Sequence, residues 1–337
     1  MEWDSFVERY DGSPFHMWGW GAAVASYGHD RYYLIARRAD DPIGVLPLAH
    51  MKSRLFGEKL ISVPFTSQGS AVVDDAHREA AISSLLIRTV ELSEDLGVDF
   101  TILRSQALGE RQAFRRRKDY VSFDVPLTEG PDSVWGAIRE SRRRQIQQAM
   151  DDEEVTYEVG DSLADFRDYY DLYVRGMKGH GSPPHSFEFF RILWEQFHDS
   201  GYLRLGLVKW NDTVINGVID FILGSTVIQK GVVSDYEYRD RQGGSLIHWK
   251  SLKWAAEDGR ESYHLGRTRE GSGVYMFKKS FGGTKVWLDD YYYFPNGEVE
   301  VPDAEDEKYE LPKKVWRKLP LPVLKLIGPP IRKNISL

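Results

Sequence analysis

The chain has 337 residues, 42% of them hydrophobic and 13% aromatic, with a formal charge of −7 and no cysteine. This is enough apolar material for a buried core and long for a single one, so two domains with connections are expected. The missing thiol excludes disulfides, cysteine nucleophiles and cysteine-ligated metal.

The opening "MEWDSFVERY" lacks the basic-then-apolar order of a secretory signal. No apolar run approaches the roughly 20 residues that span a bilayer, so an intracellular protein is expected. The charge is unevenly spread. Residues 311–337 hold Lys313, Lys314, Arg317, Lys318, Lys325, Arg332 and Lys333 and no acid, which leaves −14 on residues 1–310. A body that acidic is a poor general binder of nucleic acid, and any polyanion needs a local patch.

In chain order, "RYYLIARRADDPIGVLPLAHM" reads as strand, acidic turn and strand, and "YLRLGLVKWNDTVINGVIDFIL" repeats the plan. Gly44 and Gly217 occupy matching places in the two copies. Farther on, "AAISSLLIRTVELSEDLGVDFTILRS" predicts a helix, a glycine stop and a strand, as does "SLIHWKSLKWAAEDGRESYHLGRT", in which Leu246, Trp249, Leu252 and Ala256 keep helical spacing. Gly97 and Gly259 stand where left-handed caps belong. A duplicated α/β unit is the economical reading.

Between the copies, "DSVWGAIRESRRRQIQQAMDDEEV" predicts a helix with Arg142 beside the stripe of Ile138 and Ile146. Arg139, Arg143 and Arg144 fan around it, as a phosphate grip or a solvated face. Two further helices flank "GHGSPPHS", where His180 and His185 have no third ligand at a useful spacing, so no metal is expected.

Two loops read as sites. "YRDRQGGSLIHW" joins a strand to a helix; Arg239, Arg241 and Gln242 supply donors there, and Gly243, Gly244 and Ser245 open the helix N-terminus, as in phosphate-binding loops. "GRTREGSGVYMFKKSFGG", residues 266–283, mixes glycines that let backbone approach a ligand with cations that hold phosphate or carboxylate. For both, an ordinary surface connection is the plainer alternative.

Five separated motifs, "FHMWGWGAAVASYGHDRYYLIA", "IGVLPLAHMKSRLFGEKLISVPFTSQGS", "SRRRQIQQAM", "GVYMFKKSFGG" and "WRKLPLPVLKLIGPPI", stand in the order found in the FemAB/FemX family of aminoacyl- and acyltransferases, whose fold is that of the Gcn5-related N-acetyltransferases (GNAT). Over residues 14–330 the chain most resembles the branch associated with exosortase and exopolysaccharide loci. Two departures stand out: "QGS" (Gln68, Gly69, Ser70) replaces the usual glycine pair after "PF", and "RDRQGGS" differs from the donor loop of acetyl-coenzyme A enzymes.

The resemblance implies an α/β fold of two tandem GNAT units with mixed sheets flanked by helices. The expected parts are an N-terminal unit at 1–127, a C-terminal unit at 128–300 carrying the donor loop, and a basic, apolar tail at 301–337. It also implies that "KVWLDDYYYF" can return to the first unit. The donor would be acyl-coenzyme A or aminoacyl-tRNA as co-substrate, with no bound cofactor. The acceptor would be an amine, or a hydroxyl, of a cell-envelope or saccharide precursor.

By the same resemblance Lys278 is the catalytic cation, with Phe277 and Phe281 shaping its pocket and Lys279 as its rival. Arg267 and Arg269 would orient the acceptor, and Ser67 and Gln68 would rim its groove. Asp235 and His264, at strand ends, are candidates to take the amine's proton; ordinary strand-end polar groups are the plainer reading. The tail suits an anionic membrane surface or a strap packed on the body. A monomer acting in the cytoplasm, peripheral to the membrane through 311–337, is expected. The alternative is a non-catalytic GNAT-fold module that holds an envelope precursor.

Overall fold

A computed structural model describes residues 2–54, 56–105, 108–302 and 309–335. Positions 303–308 and 336–337 of the expected tail lie outside the described residues. The elements, in order, are α1 (Glu2–Arg9), α2 (Trp18–Ala25), β1 (Asp30–Arg38), β2 (Asp41–Ser53), β3 (Gly57–Ser62), β4 (Val72–Val73), α3 (Arg78–Leu96), β5 (Phe100–Ser105) and β6 (Arg115–Pro126). These are followed by α4 (Pro131–Ala137), α5 (Glu140–Asp151), β7 (Val155–Gly160), α6 (Leu163–His180), α7 (Phe187–Phe197), β8 (Leu203–Trp210), β9 (Thr213–Leu223), β10 (Thr226–Ser234), α8 (Gly243–Glu257), β11 (Ser262–His264), α9 (Gly273–Lys279), β12 (Thr284–Tyr293), α10 (Glu310–Trp316) and α11 (Leu321–Arg332).

The chain forms two compact units, one of residues 1–120, 287–307 and 330–337, the other of 121–286 and 308–329. The chain passes between them inside β6 and again inside β12.

In the first unit β1 and β2 form an antiparallel hairpin, β3 adds antiparallel to β2, and β5 lies parallel to β3 after the crossover through α3. Parallel pairing requires such a crossover, because a tight turn can only reverse the chain. The apolar face of α3 (Ile82, Leu85, Leu86 and Leu92) is buried with Leu46, Leu48 and Leu60 of the sheet in one core. The helix stops at Gly97, whose φ of 63° is the left-handed cap that glycine takes without steric penalty. Residues 289–293 of β12 pair antiparallel with β5, so "KVWLDDYYYF" does contribute to the first unit.

The second unit repeats this plan. β8, β9 and β10 form an antiparallel meander, α8 crosses over, and β11 lies parallel to β10. The closing antiparallel strand is residues 124–126 of β6, and β7 extends the far edge beside β8. A rim of aromatic side chains (Phe166, Tyr169, Phe190, Trp194) covers one face through α6 and α7. Ser162 starts α6 with a capping box to Asp165, satisfying first-turn N–H groups.

The two glycines read as equivalents differ in one respect. A Cβ on Gly44 would meet Ala81 of α3 at 2.9 Å, whereas one on Gly217 would meet Tyr169 of α6 at 2.6 Å. Since α8 is the counterpart of α3, they point to opposite faces of their sheets. A one-residue slip in alignment inverts a strand's faces, and similarity of pattern alone does not fix it.

The tail is a strap broken where its prolines require. α10 ends at Trp316, and α11 begins at Leu321 with Pro322 in its first turn, where a missing N–H is harmless. Arg317 Nε donates to Gly179 O at 3.2 Å, Lys325 Nζ donates to Asp171 Oδ1 at 2.6 Å, and Leu324 is fully buried. In the first unit Lys59 Nζ donates to Asn334 O and His29 Nε2 lies 2.8 Å from Lys333 O. Among the described residues no helix is long and apolar enough to cross a membrane.

A buried ion pair accompanies the pairing of β12 with β5. Arg104 of β5, 1% exposed, donates through Nη1 to Asp290 Oδ2 at 3.1 Å. Removing one partner leaves a buried charge uncompensated, which costs about 3–5 kcal/mol, while replacing both by apolar groups is far milder. Urea denaturation of Asp290→Ala should show a loss of that size, and the double variant Arg104→Met, Asp290→Leu should recover most of it.

Candidate active site

The second unit opens where its parallel strands part. β10 and β11 pair through three rungs, ending at Ile228 with His264, and β10 continues to Ser234 without β11. The chain leaving β11 turns at Gly266, with φ of 70°; a Cβ there would come within 2.9 Å of Gln229 O and 3.6 Å of Lys278 Nζ. Glycine is needed here both for the backbone angle and for the space.

α9 is nucleated by Ser272, whose Oγ accepts the Tyr275 N–H at 3.1 Å. The helix carries Lys278 back to that turn, where Nζ donates to Gly266 O and Arg267 O, each at 3.0 Å. Burial of the ammonium, helped by the charge of Arg267, lowers its pKa to about 7.

His264 lies beside it, buried. Its Nδ1 accepts the Gly266 N–H at 3.2 Å, with Ser122 Oγ also 3.2 Å away, and Ser122 Oγ donates to Gly266 O at 3.1 Å. This network puts the ring hydrogen on Nε2. Burial, with Lys278 adding to it, lowers the His264 pKa to about 3, so the ring is neutral at physiological pH. Nε2 faces Asp124 Oδ1 on the paired residue of β6 at 3.8 Å, too far for a hydrogen bond. Both atoms are buried and neither has a hydrogen-bond partner among the described residues. Desolvation raises Asp124 to about 6.

The N-terminus of α8 is adjacent. Gln242 takes φ of 55° to start it, and Gly243 lies so close to β9 that a Cβ would fall 2.0 Å from Asn216 Oδ1. Arg142 of α5 joins this end to α9: its Nη1 donates to Ser245 Oγ at 2.8 Å and to Gln145 Oε1 at 2.6 Å, and its Nε donates to Ser280 Oγ at 2.9 Å. The guanidinium stacks 4.1 Å over the Phe277 ring, and Phe277, Phe281 and His248 pack against one another. His248 Nδ1 donates to Gly244 O at 2.8 Å, and burial lowers its pKa to about 3.

The structure thus brings together Lys278, His264, Phe277, Arg267, Gly243, Gly244 and Ser245. Other residues named from the sequence stand differently. Asp235 caps the turn after β10 by accepting the Glu237 N–H at 3.2 Å, and it lies 3.4 Å from Arg175 Nε. Arg241 donates to Asp152 Oδ2 at 3.2 Å, has Glu154 and Asp240 within 4 Å, and stacks 4.7 Å over Trp210. Arg239 and Lys279 are exposed, Lys279 reaching 5.8 Å from the Tyr275 ring, and Arg269 is half-buried.

Ser67 and Gln68 belong to the first unit, in a loop where Val63 (φ 41°) and Phe65 (φ 68°) hold strained left-handed angles while their side chains stay buried. Trp20 Nε1 secures that loop by donating to Pro64 O at 3.1 Å. No three His, Cys, Asp or Glu side chains cluster as a metal would require, among the described residues.

One residue of the candidate site, Asp124, carries no signal in the sequence. Asp124 comes from a strand some 140 positions before its partner, and its sequence context "VSFDVP" is that of any strand. Arg142 carried a signal, its place beside an apolar stripe, which fits a group that turns inward.

Residues 136–279 match the acetyltransferase (GNAT) domain family. No curated protein matches the chain. Among solved structures, FemX shares 16% identity at a TM-score of 0.69, covering 87% of this chain and 95% of that one. The C-terminal domain of a putative lysylphosphatidylglycerol synthetase from Agrobacterium fabrum shares 14% at 0.60, covering 88% and 91%. A tandem GNAT protein of the clavulanic acid biosynthesis pathway shares 10% at 0.51, covering 80% and 85%. Residues 136–279 are therefore similar to GNAT acetyltransferase domains, and the chain shares its fold with FemX and with a tandem GNAT protein.

Proposed function

We propose that the protein is a FemAB-like acyltransferase of the cytoplasm, acting as a monomer. It would move an acyl or aminoacyl group from acyl-coenzyme A or aminoacyl-tRNA onto an amine, or a hydroxyl, of a cell-envelope or saccharide precursor. One observation carries this reading: where β10 and β11 part, a buried lysine ammonium and a neutral histidine are tied to the same Gly266 turn, and a carboxylate oxygen without a hydrogen-bond partner among the described residues faces that histidine.

The chemistry follows from that arrangement. The acceptor nitrogen attacks the acyl carbonyl carbon, and negative charge builds on the carbonyl oxygen. Lys278 stabilises that charge through its ammonium, an electrostatic contribution that dominates many acyl transfers. The nitrogen must lose a proton. Asp124, raised to about 6, is matched to accept it near neutral pH, whereas His264 at about 3 is too weak a base. As the tetrahedral adduct collapses, the bond to the carrier breaks and the carrier leaves with a proton. The N-terminus of α8, with Arg142, receives the carrier's phosphates, and Arg267 and Arg269 with Phe277 and Lys279 line the way to the acceptor.

A second reading is a binding module without catalysis. It is favoured by Arg241, whose charge is met by Asp152 and Glu154 instead of being held open for a ligand.

Calorimetry with coenzyme A and filter binding with tRNA separate the donors. A coenzyme A carrier gives saturable binding in the absence of RNA, while a tRNA carrier gives affinity that falls steeply with salt. Lys278→Ala should lower the rate of acyl transfer, or of donor hydrolysis, by about 10²–10³-fold, the effect of losing an oxyanion donor. A variant as active as the parent sinks the catalytic reading.

The pH profile should be a narrow bell. Activity rises as Asp124 deprotonates through about 6 and falls as Lys278 loses its charge through about 7. Asp124→Asn should abolish the acidic limb. Lys278→Arg should carry the alkaline limb out of the neutral range, because a guanidinium stays charged.

A further inference from the structure

The C-terminal helices carry a surface that the transferase reading leaves unused. Each is docked on the second unit by one face. On α10 this is Lys313, whose Cβ would lie 2.9 Å from a Cβ on Gly181; on α11 it is Leu324, fully buried, and Gly328, where a Cβ would lie 2.5 Å from Pro184 Cδ.

At 3.6 residues per turn, the opposite arc of α10 gathers Leu311, Lys314 and Val315, with Lys318 continuing it into the turn beyond. All four are exposed, Leu311 by 71% and Val315 by 54%. On α11 Leu326, 75% exposed, lies opposite Leu324 and Gly328, with the partly exposed Val323 and Ile327 flanking it on one side. No acid occurs from Leu311 to the end of the chain. Single exposed apolar residues are common on any surface. Five of them recurring at helical spacing on consecutive helices, interleaved with cations, are a pattern that water alone does not reward.

We infer that this face rests on an anionic lipid bilayer, with Leu311, Val315 and Leu326 entering the acyl boundary and Lys314 and Lys318 meeting lipid phosphates. Charge selects this occupant. The rest of the chain carries −14 and is repelled by an anionic surface, so the basic tail is the part that can approach one. A nucleic acid would match the cations but offers no apolar phase for the leucines. The inference does not depend on the transferase reading.

The test is co-sedimentation of the full chain with vesicles of phosphatidylcholine alone and with vesicles of equal parts phosphatidylcholine and phosphatidylglycerol. Binding is expected to the anionic vesicles only, weakening with salt. The pair Lys314→Glu, Lys318→Glu should reduce partitioning by about tenfold or more, and Leu311→Ser, Leu326→Ser should also reduce it. These positions are exposed, and unchanged circular dichroism would show that both variants fold. Equal binding to the two vesicle types, binding that neither pair alters, or no binding overturns the inference. So does loss of tRNA retention in the lysine pair without any vesicle binding, which would make the strip a nucleic-acid surface.

Discussion

A lysine ammonium buried against two backbone carbonyls is the constraint around which the second unit is arranged. Burying a charge is costly unless it is hydrogen-bonded, and here two of its three hydrogens are taken by Gly266 O and Arg267 O. Those carbonyls converge only because Gly266 is left-handed and lies close to Gln229, a geometry that any side chain would strain. The third N–H has no acceptor among the described residues, and in the proposed reaction a substrate oxygen would take it. The lowered pKa of about 7 is the measure of incomplete compensation, and an incoming oxyanion would complete it.

Neutrality of the surroundings matters as much as the charge. His264 and His248 are buried deeply enough to stay uncharged, so neither adds a competing cation, and burial of Oδ1 raises the Asp124 carboxyl although its side chain is 41% exposed overall. A carboxylate in direct contact with Lys278 would form a closed ion pair and leave nothing to act on a substrate. Lys278 instead donates to backbone carbonyls, and the Nε2–H of His264 faces the Asp124 carboxylate at 3.8 Å.

Local pattern carried much of the fold. The hairpins of β1–β2 and β8–β9, the helix stop at Gly97, the start of α8 at the double glycine and the break at the tail prolines are each encoded within a few residues, and so they can be read from the chain. What was not legible depends on distant pairing. Asp124 meets His264 only because β6 closes the sheet beside β11. Arg241 looks like a free cation until the end of α5 brings Asp152 to it. The opposite facing of Gly44 and Gly217 is a matter of register, which periodicity leaves open by one residue. Lys278 was reached through a family resemblance; by composition alone it equals Lys279, and only the fold shows one turned inward and the other exposed.

The two units share a topology but differ at the start of their crossover helix, and the difference concerns charge. α3 begins with Glu79 in its first turn, and just before it Asp74 accepts the Ala76 N–H at 3.1 Å, so acids already answer the positive end of the helix dipole. α8 has no acid in its first turn. Instead the Arg142 guanidinium is bonded to Ser245 in that turn, and its hydrogen bonds go to hydroxyls and an amide oxygen, none of which carries negative charge. A cation placed at the positive end of a helix is unfavourable by itself. Stacking on Phe277 offsets part of that cost, and an anion joining the arrangement, such as a phosphate of the proposed carrier, would offset the rest; at the start of α3 the cations Arg78 and Arg111 are already paired with Asp75 and Glu79.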